Sequence, residues 1–192
     1  QAPQLLEGLP KAVSDFGVGV SYTFDSRDFM LNASRGWFMQ LDLTTNPTFL
    51  GNNNTYWSAE LQLATYRKAW RGAIIAGELH TRQSTGQVPW PMLADVGSSN
   101  RMRGYYEGRY RDKNVIDAQV ELRQHIWHRN GIVLWLGAAE VFPRYSDMRF
   151  SRILPNAGVG YRWQFKKGVN VRLDYGFSRN GTGFIFNINE AF

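Results

Sequence analysis

The chain contains no cysteine, which excludes disulfides, thiolate metal sites and cysteine nucleophiles. Histidine is scarce, with three in 192 residues. His125 and His128 lie three apart, on opposite faces of an extended segment, so they cannot form a metal pair. A Ser-His-acid site needs all three groups converging at one rim. His80 beside Glu78 could begin one, but no motif places a serine there. The chain is therefore read as non-enzymatic, with no cofactor and no metal. Long hydrophobic runs are missing too, since no apolar stretch approaches the roughly 20 residues of a membrane-spanning helix. Few segments repeat at the helical period.

Aromatics and glycines are plentiful. Aromatic residues make up 15% of the chain, glycine occurs 19 times, and the mean hydropathy is negative. That combination fits a transmembrane β-barrel, in which only every second residue of a strand meets lipid. Period-two alternation runs along almost the whole length. Val169, Val171, Leu173, Tyr175 and Phe177 alternate with Asn170, Arg172, Asp174, Gly176 and Ser178. Phe16, Val18, Val20, Tyr22 and Phe24 do the same against Gly17, Gly19, Ser21, Thr23 and Asp25. Nine segments read this way, whereas an antiparallel barrel closing on itself needs an even number. Segment 131–141 is apolar on both faces and has no clear orientation. Short turns at 68–72, 128–131 and 166–168 alternate with longer polar loops at 46–55, 84–114 and 143–154, the outer-membrane pattern. A soluble β-sandwich also alternates, but outward aromatics near strand ends suit a lipid interface better.

Strand interiors carry Asp42, Glu60, Glu78, Arg82, Asp117, Glu121, Arg123, Arg162, Arg172 and Asp174 on one face. Acids and bases in similar numbers can pair across a lumen. A barrel of about eight strands is just wide enough for side chains to fill it, so a packed ionic interior is expected rather than an open pore. The net charge of +6 is assigned to anionic lipid or lipopolysaccharide rather than to nucleic acid. Gln1-Ala2-Pro3 shows no basic-plus-apolar leader. Residues 1–13 read as an N-terminal periplasmic extension and 14–192 as the barrel.

The densest guanidinium patch, "NRMRGYYEGRYRDKN" at 100–114, sits between two such strands. Its core, Arg103-Gly104-Tyr105, followed by a strand with Val120-Glu121-Leu122-Arg123, resembles the bacterial surface-antigen barrels of the BamA, TamA and FhaC type. "SYTFDSRD" (21–28) with "SRGWFMQLDL" (34–43) is similar to that family's Tyr-x-x-Asp-x-Arg-Asp turn and the strand after it. "LPNAGVGYRWQF", "GVNVRLDYGFS" and "GFIFNINEAF" resemble its last three strands. The likeness covers about residues 14–192.

The resemblance implies an all-β, antiparallel outer-membrane barrel whose long extracellular loop folds back inside. It also implies a role in assembling or translocating proteins or lipids, with a periplasmic partner or as a homodimer. A non-catalytic scaffold that binds lipid or lipopolysaccharide is the alternative. Arg103 would reach an inward carboxylate, because a guanidinium fork in a lumen wants a bidentate acid and lysine cannot match that geometry. The family's usual aspartate would fall at Gly137, which leaves Asp117, Glu121 and Asp174 as candidate partners. Arg101, Arg109 and Arg111 are expected to face solvent or lipid phosphates. Phe184, Phe186, Ile188 and Phe192 resemble a C-terminal assembly signal, with Glu190 interrupting the apolar alternation.

Overall fold

In the computed structural model, residues 14–192 are described; the extension proposed for 1–13 lies outside them. One antiparallel sheet holds β1 (Val18–Asp25), β2 (Gly36–Asn46), β3 (Tyr56–Lys68), β4 (Ala73–Gly86), β7 (Asn114–Trp127), β8 (Asn130–Phe142), β9 (Leu154–Lys166), β10 (Val169–Ser178) and β11 (Gly181–Ile188), in that spatial order. Two short strands, β5 (Ala94–Val96) and β6 (Tyr110–Asp112), pair only with each other inside the β4–β7 connection. The main sheet has nine strands rather than about eight, and it is a partial barrel. Among the described residues β1 pairs only with β2, and β11 only with β10. The odd number of alternating segments is thus real, and the ring expected from sequence is not closed.

The alternation sorts residues as the period of two requires. Trp37, Leu43, Trp57, Ile75, Val120, Leu134, Leu136, Val159, Phe177, Phe184 and Phe186 are exposed on the convex face. Glu78, His80, Asp117, Gln119, Glu121, Arg123, Arg162, Arg172 and Asp174 are buried on the concave one. Such a pattern is stable only where hydrocarbon, not water, bathes the outer face. Trp37, Trp127 and Phe165 stand near one end of the strands and Trp57 and Phe177 near the other, where lipid interfaces favour aromatic rings.

The concave face is covered unevenly. The long β4–β7 connection folds into it, and Ala94, Val96, Met102 and Tyr105 pack there on Val115, Ala139 and Leu154. This explains the ambiguity of 131–141. In β8, Ile132, Leu134 and Leu136 face outward, while Val133, Trp135 and Ala139 are buried on the concave side, Trp135 against Arg103 and Ala139 in the apolar cluster formed by the loop. The outer face of that strand meets an apolar environment, and its inner face is buried against the loop and the arginines. By contrast every residue of β1 is exposed, because nothing among the described residues lies over it.

The β1–β2 connection uses the aspartates and arginine singled out from sequence. Arg27 donates to both carboxylate oxygens of Asp25, at 2.9 and 2.7 Å, and its guanidinium lies over the Phe38 ring. Asp28 accepts from the Ser34 hydroxyl and from the N–H groups of Ser34 and Arg35. Partial burial opposes its charge, yet these donors outweigh burial and hold its carboxyl below the usual range. Gly36 adopts φ +113°, and a Cβ there would collide with the Ser26 carbonyl.

The two faces differ in what they tolerate. Val120→Arg, outward at mid-strand, is expected to lower folding stability in a bilayer by about 2–4 kcal/mol. Thr23→Arg, on the uncovered concave face of β1, is expected to change it by less than about 1 kcal/mol. Urea titration of the protein refolded into vesicles measures both.

Candidate functional site

The β4–β7 connection turns sharply at Met102 and Gly104, both with positive φ (+50° and +103°), and this turn drives Arg103 into the lumen. The Arg103 side chain is wholly buried, at 0% exposure. One amino group of its guanidinium donates to Asp174 on β10 at 2.7 Å, and the other donates to Glu121 on β7. The central carbon of the guanidinium lies 3.7 Å from the centroid of the Trp135 ring of β8, a cation–π contact that strengthens when water is excluded. Asn156 on β9 donates its side-chain amide to the Arg103 carbonyl. A single loop residue thus ties together four of the five main-sheet strands that follow it.

The two carboxylates are shared. Arg123 donates to Glu121 at 2.9 Å, and Arg162 donates to Asp174 at 2.5 Å and to Glu190 at 2.7 Å. Arg172 approaches Asp174 at 3.5 Å and donates to the Ser99 carbonyl at 2.7 Å. Four arginines therefore surround three acids. The surplus of cationic donors shows in Arg103 Nε, Arg162 Nη2 and Arg172 Nη1, which are buried with no hydrogen-bond partner in the structure. Each acid is fixed by at least two cations, which offsets much of the desolvation cost of burying it.

Glycine makes the docking possible. A Cβ on Gly104 would come within 2.9 Å of the Gly176 backbone, one on Gly176 would collide with the Arg103 carbonyl, and one on Gly183 would lie 3.0 Å from Gly104. The loop backbone therefore rests directly on β10 and β11. Tyr105 seals the mouth, its hydroxyl donating to the Pro155 carbonyl at 2.7 Å, with Ser178 donating to the Gly104 carbonyl at 3.0 Å.

Of the three acids considered for Arg103, the structure brings Glu121 and Asp174 to it and sends Asp117 elsewhere. Asp117 lies 2.7 Å from His80 Nδ1, while Glu60 lies 2.9 Å from His80 Nε2. His80 is thus held between two carboxylates, and Glu78 instead accepts from Gln62 and Gln119. Gly137 holds no vacant aspartate position, since a Cβ there would press on Asn156 Oδ1 at 2.7 Å. The carboxylate comes from β10, where Asp174-Tyr175-Gly176 is itself an Asp-x-Gly sequence that sequence reading passed over. Arg162, Arg172, Asn156 and Trp135 were missed as parts of the lock; inward phase on the strands following the loop was the signal for them.

The other loop arginines divide. Arg109 is exposed. Arg111 lies 3.4 Å from Asp95 and over the Trp90 ring, and Arg101 is half-buried. Only Arg109 has the free outward position expected of all three. The C-terminal alternation also needs correction. Phe184, Phe186 and Ile188 are outward, but Asn189 takes φ +70° and the strand ends at Ile188. Glu190 then turns inward to the arginines. Phe192 packs with Tyr66, Ala64 and Ala76 inside the sheet, its ring 5.2 Å from the Arg123 guanidinium. The acid that interrupted the apolar pattern is thus an inward member of the arginine network, brought there by the turn at Asn189.

The Omp85 superfamily domain matches residues 7–192. No curated protein matches the chain significantly. Among solved structures, the BamA of Haemophilus ducreyi lacking POTRA domains 1–3 is similar over 91% of this chain, with a TM-score of 0.71 and 15% identity. The match covers 41% of that structure's chain, so this chain spans less than half of its relative, and at that identity the likeness is one of fold.

Arg103→Ala leaves Glu121 and Asp174 short of a buried partner and is expected to destabilise the folded protein by about 3–5 kcal/mol. Arg103→Lys should recover less than half of the loss, because the ammonium cannot span both acids. Thermal unfolding in detergent reads both. Gly104→Ala is expected to free residues 97–110 from the lumen, seen as at least tenfold faster proteolysis there while the far-UV β-sheet signal persists.

Proposed function

The chain belongs to the Omp85 superfamily, and from that premise we propose that it works in the outer membrane as the locked part of a protein-assembly or translocation barrel. In this reading it is a non-catalytic frame completed by strands from elsewhere. The observation that carries the reading is the contrast between its two regions. The half from β7 to β11 is fastened by the arginine loop, whereas β1 and the outer edge of β11 have no strand beside them among the described residues. Unpaired backbone groups in hydrocarbon cost several kcal/mol each, so both edges call for a neighbour.

Strand direction narrows what that neighbour is. Nine antiparallel strands make β1 and β11 run the same way. An all-antiparallel ring is completed only by an odd number of strands, beginning and ending in the opposite direction. A second copy inserted in the same orientation presents edges running the wrong way and would meet this one in parallel seams, which are slightly weaker per residue. This favours strands of different sequence over the homodimer. A purely lipid- or lipopolysaccharide-binding scaffold built on the arginine loop is the weaker reading, since only Arg109 of the three arginines assigned to phosphates stands free.

Photo-crosslinkers placed at Ser21 in β1 and Asn187 in β11, in cells, test the reading together with depletion of the protein. The expected result is a discrete adduct from each position with strands that are not those of a second copy, and a several-fold loss of folded outer-membrane barrels on depletion. An adduct between two copies would overturn the directional argument. Unchanged barrel levels would overturn the assembly role.

A further inference from the structure

We propose that the β8–β9 connection, residues 143–153, is a binding site for a phosphorylated, acylated lipid of the membrane leaflet at the long-loop end of the strands. This inference requires only that the sheet spans a membrane, and so stands apart from the assembly role.

The connection does not arch over the lumen as the arginine loop does. It folds outward, because Glu140 lies on the convex side of β8, in phase with Leu134, Leu136 and Ala138, and accepts the Arg149 backbone N–H at 2.8 Å. Glu140 is buried there, and so is Phe142, whose ring packs 5.3 Å from that of Tyr145. A buried carboxyl on the lipid-facing side of a strand is costly unless something covers it, and here the loop does so. Between loop and sheet runs a cleft of about 210 Å³, floored by Leu79, Ile116, Ala118 and Ala138 and walled by Met148 and Phe150. Phe150 is 94% exposed, a large apolar ring at the rim of an apolar cleft.

The charge of the connection identifies the occupant: Arg149 lines the cleft itself, and Arg144 and Arg152 lie in the same short segment. Arg144, Arg149 and Arg152 are exposed, and among the described residues none of them takes part in an ion pair. Asp147 is the one acid in the segment. Guanidinium forks match phosphate oxygens in pairs, and the cleft that Arg149 lines accepts hydrocarbon that continues onto the apolar convex face. A phosphorylated head group above with acyl chain below fits both parts, whereas a soluble phosphate would leave the cleft empty and a neutral lipid would leave three cations unmatched.

Native mass spectrometry of the full chain in neutral detergent, with a bis-phosphorylated, multiply acylated lipid A as probe, tests this. The triple variant Arg144→Ser, Arg149→Ser, Arg152→Ser and the cleft-filling Ala138→Trp are each expected to bind at least tenfold more weakly. Arg109→Ser is expected to bind as the unaltered protein does, and dephosphorylated probe to bind poorly to all. Heat-modifiable gel mobility verifies that each variant is folded. Undiminished binding by the folded triple variant or by folded Ala138→Trp would overturn the site. So would an equal loss with Arg109→Ser, since the attraction would then be only the general positive charge of the chain.

Discussion

A guanidinium held between Glu121 and Asp174, on strands separated by two others, is the constraint on which the rest of this protein depends. Those carboxylates project from β7 and β10 into a space that strand hydrogen bonds alone do not define. Arg103 fills the gap with one rigid planar group that answers both acids and lies over the Trp135 ring. The distance between two non-adjacent strands is thereby set, and with it the curvature of the sheet from β7 to β11. A lysine in the same place would supply charge without the fork.

Everything packed around that contact follows from the need to bury it. Arg123, Arg162 and Arg172 complete the charge around the acids, and Glu190 pulls the last residues inward to join them. Glycines at 104, 176 and 183 let the loop backbone touch the sheet, as side chains there would keep the guanidinium from its partners. Inside a low-dielectric space a half-satisfied network costs more than an apolar core. That argues for treating these residues as one unit.

The same constraint divides the sheet by function. Where the loop lies, the concave face is filled and fixed. At β1 and β2 it is open, with Ser21, Thr23, Gln40 and Asp42 incompletely covered. A frame rigid on one side and unfinished on the other suits the proposed role, in which other strands complete its edges. The outward-folded β8–β9 connection belongs to neither region and addresses the lipid instead.

Sequence alone determined the barrel class and the phase of nearly every strand, while the special status of Arg103-Gly104-Tyr105 came from its resemblance to a known family. Phase rests on periodicity, which acts between residues near one another in the chain, whereas the partners that match the Arg103 guanidinium lie 18 and 71 residues away. Tertiary structure decided which acid met which base. Asp117 and Glu121 share a strand and a face four residues apart, yet one binds His80 and the other Arg103, because the loop descends over only one of them. It also decided the fate of Glu190 and Phe192, which a single left-handed residue at Asn189 swings from the outer face to the lumen. Closure was likewise beyond periodicity, for a strand's alternation records which face meets lipid and carries no information on whether its edge has a neighbour.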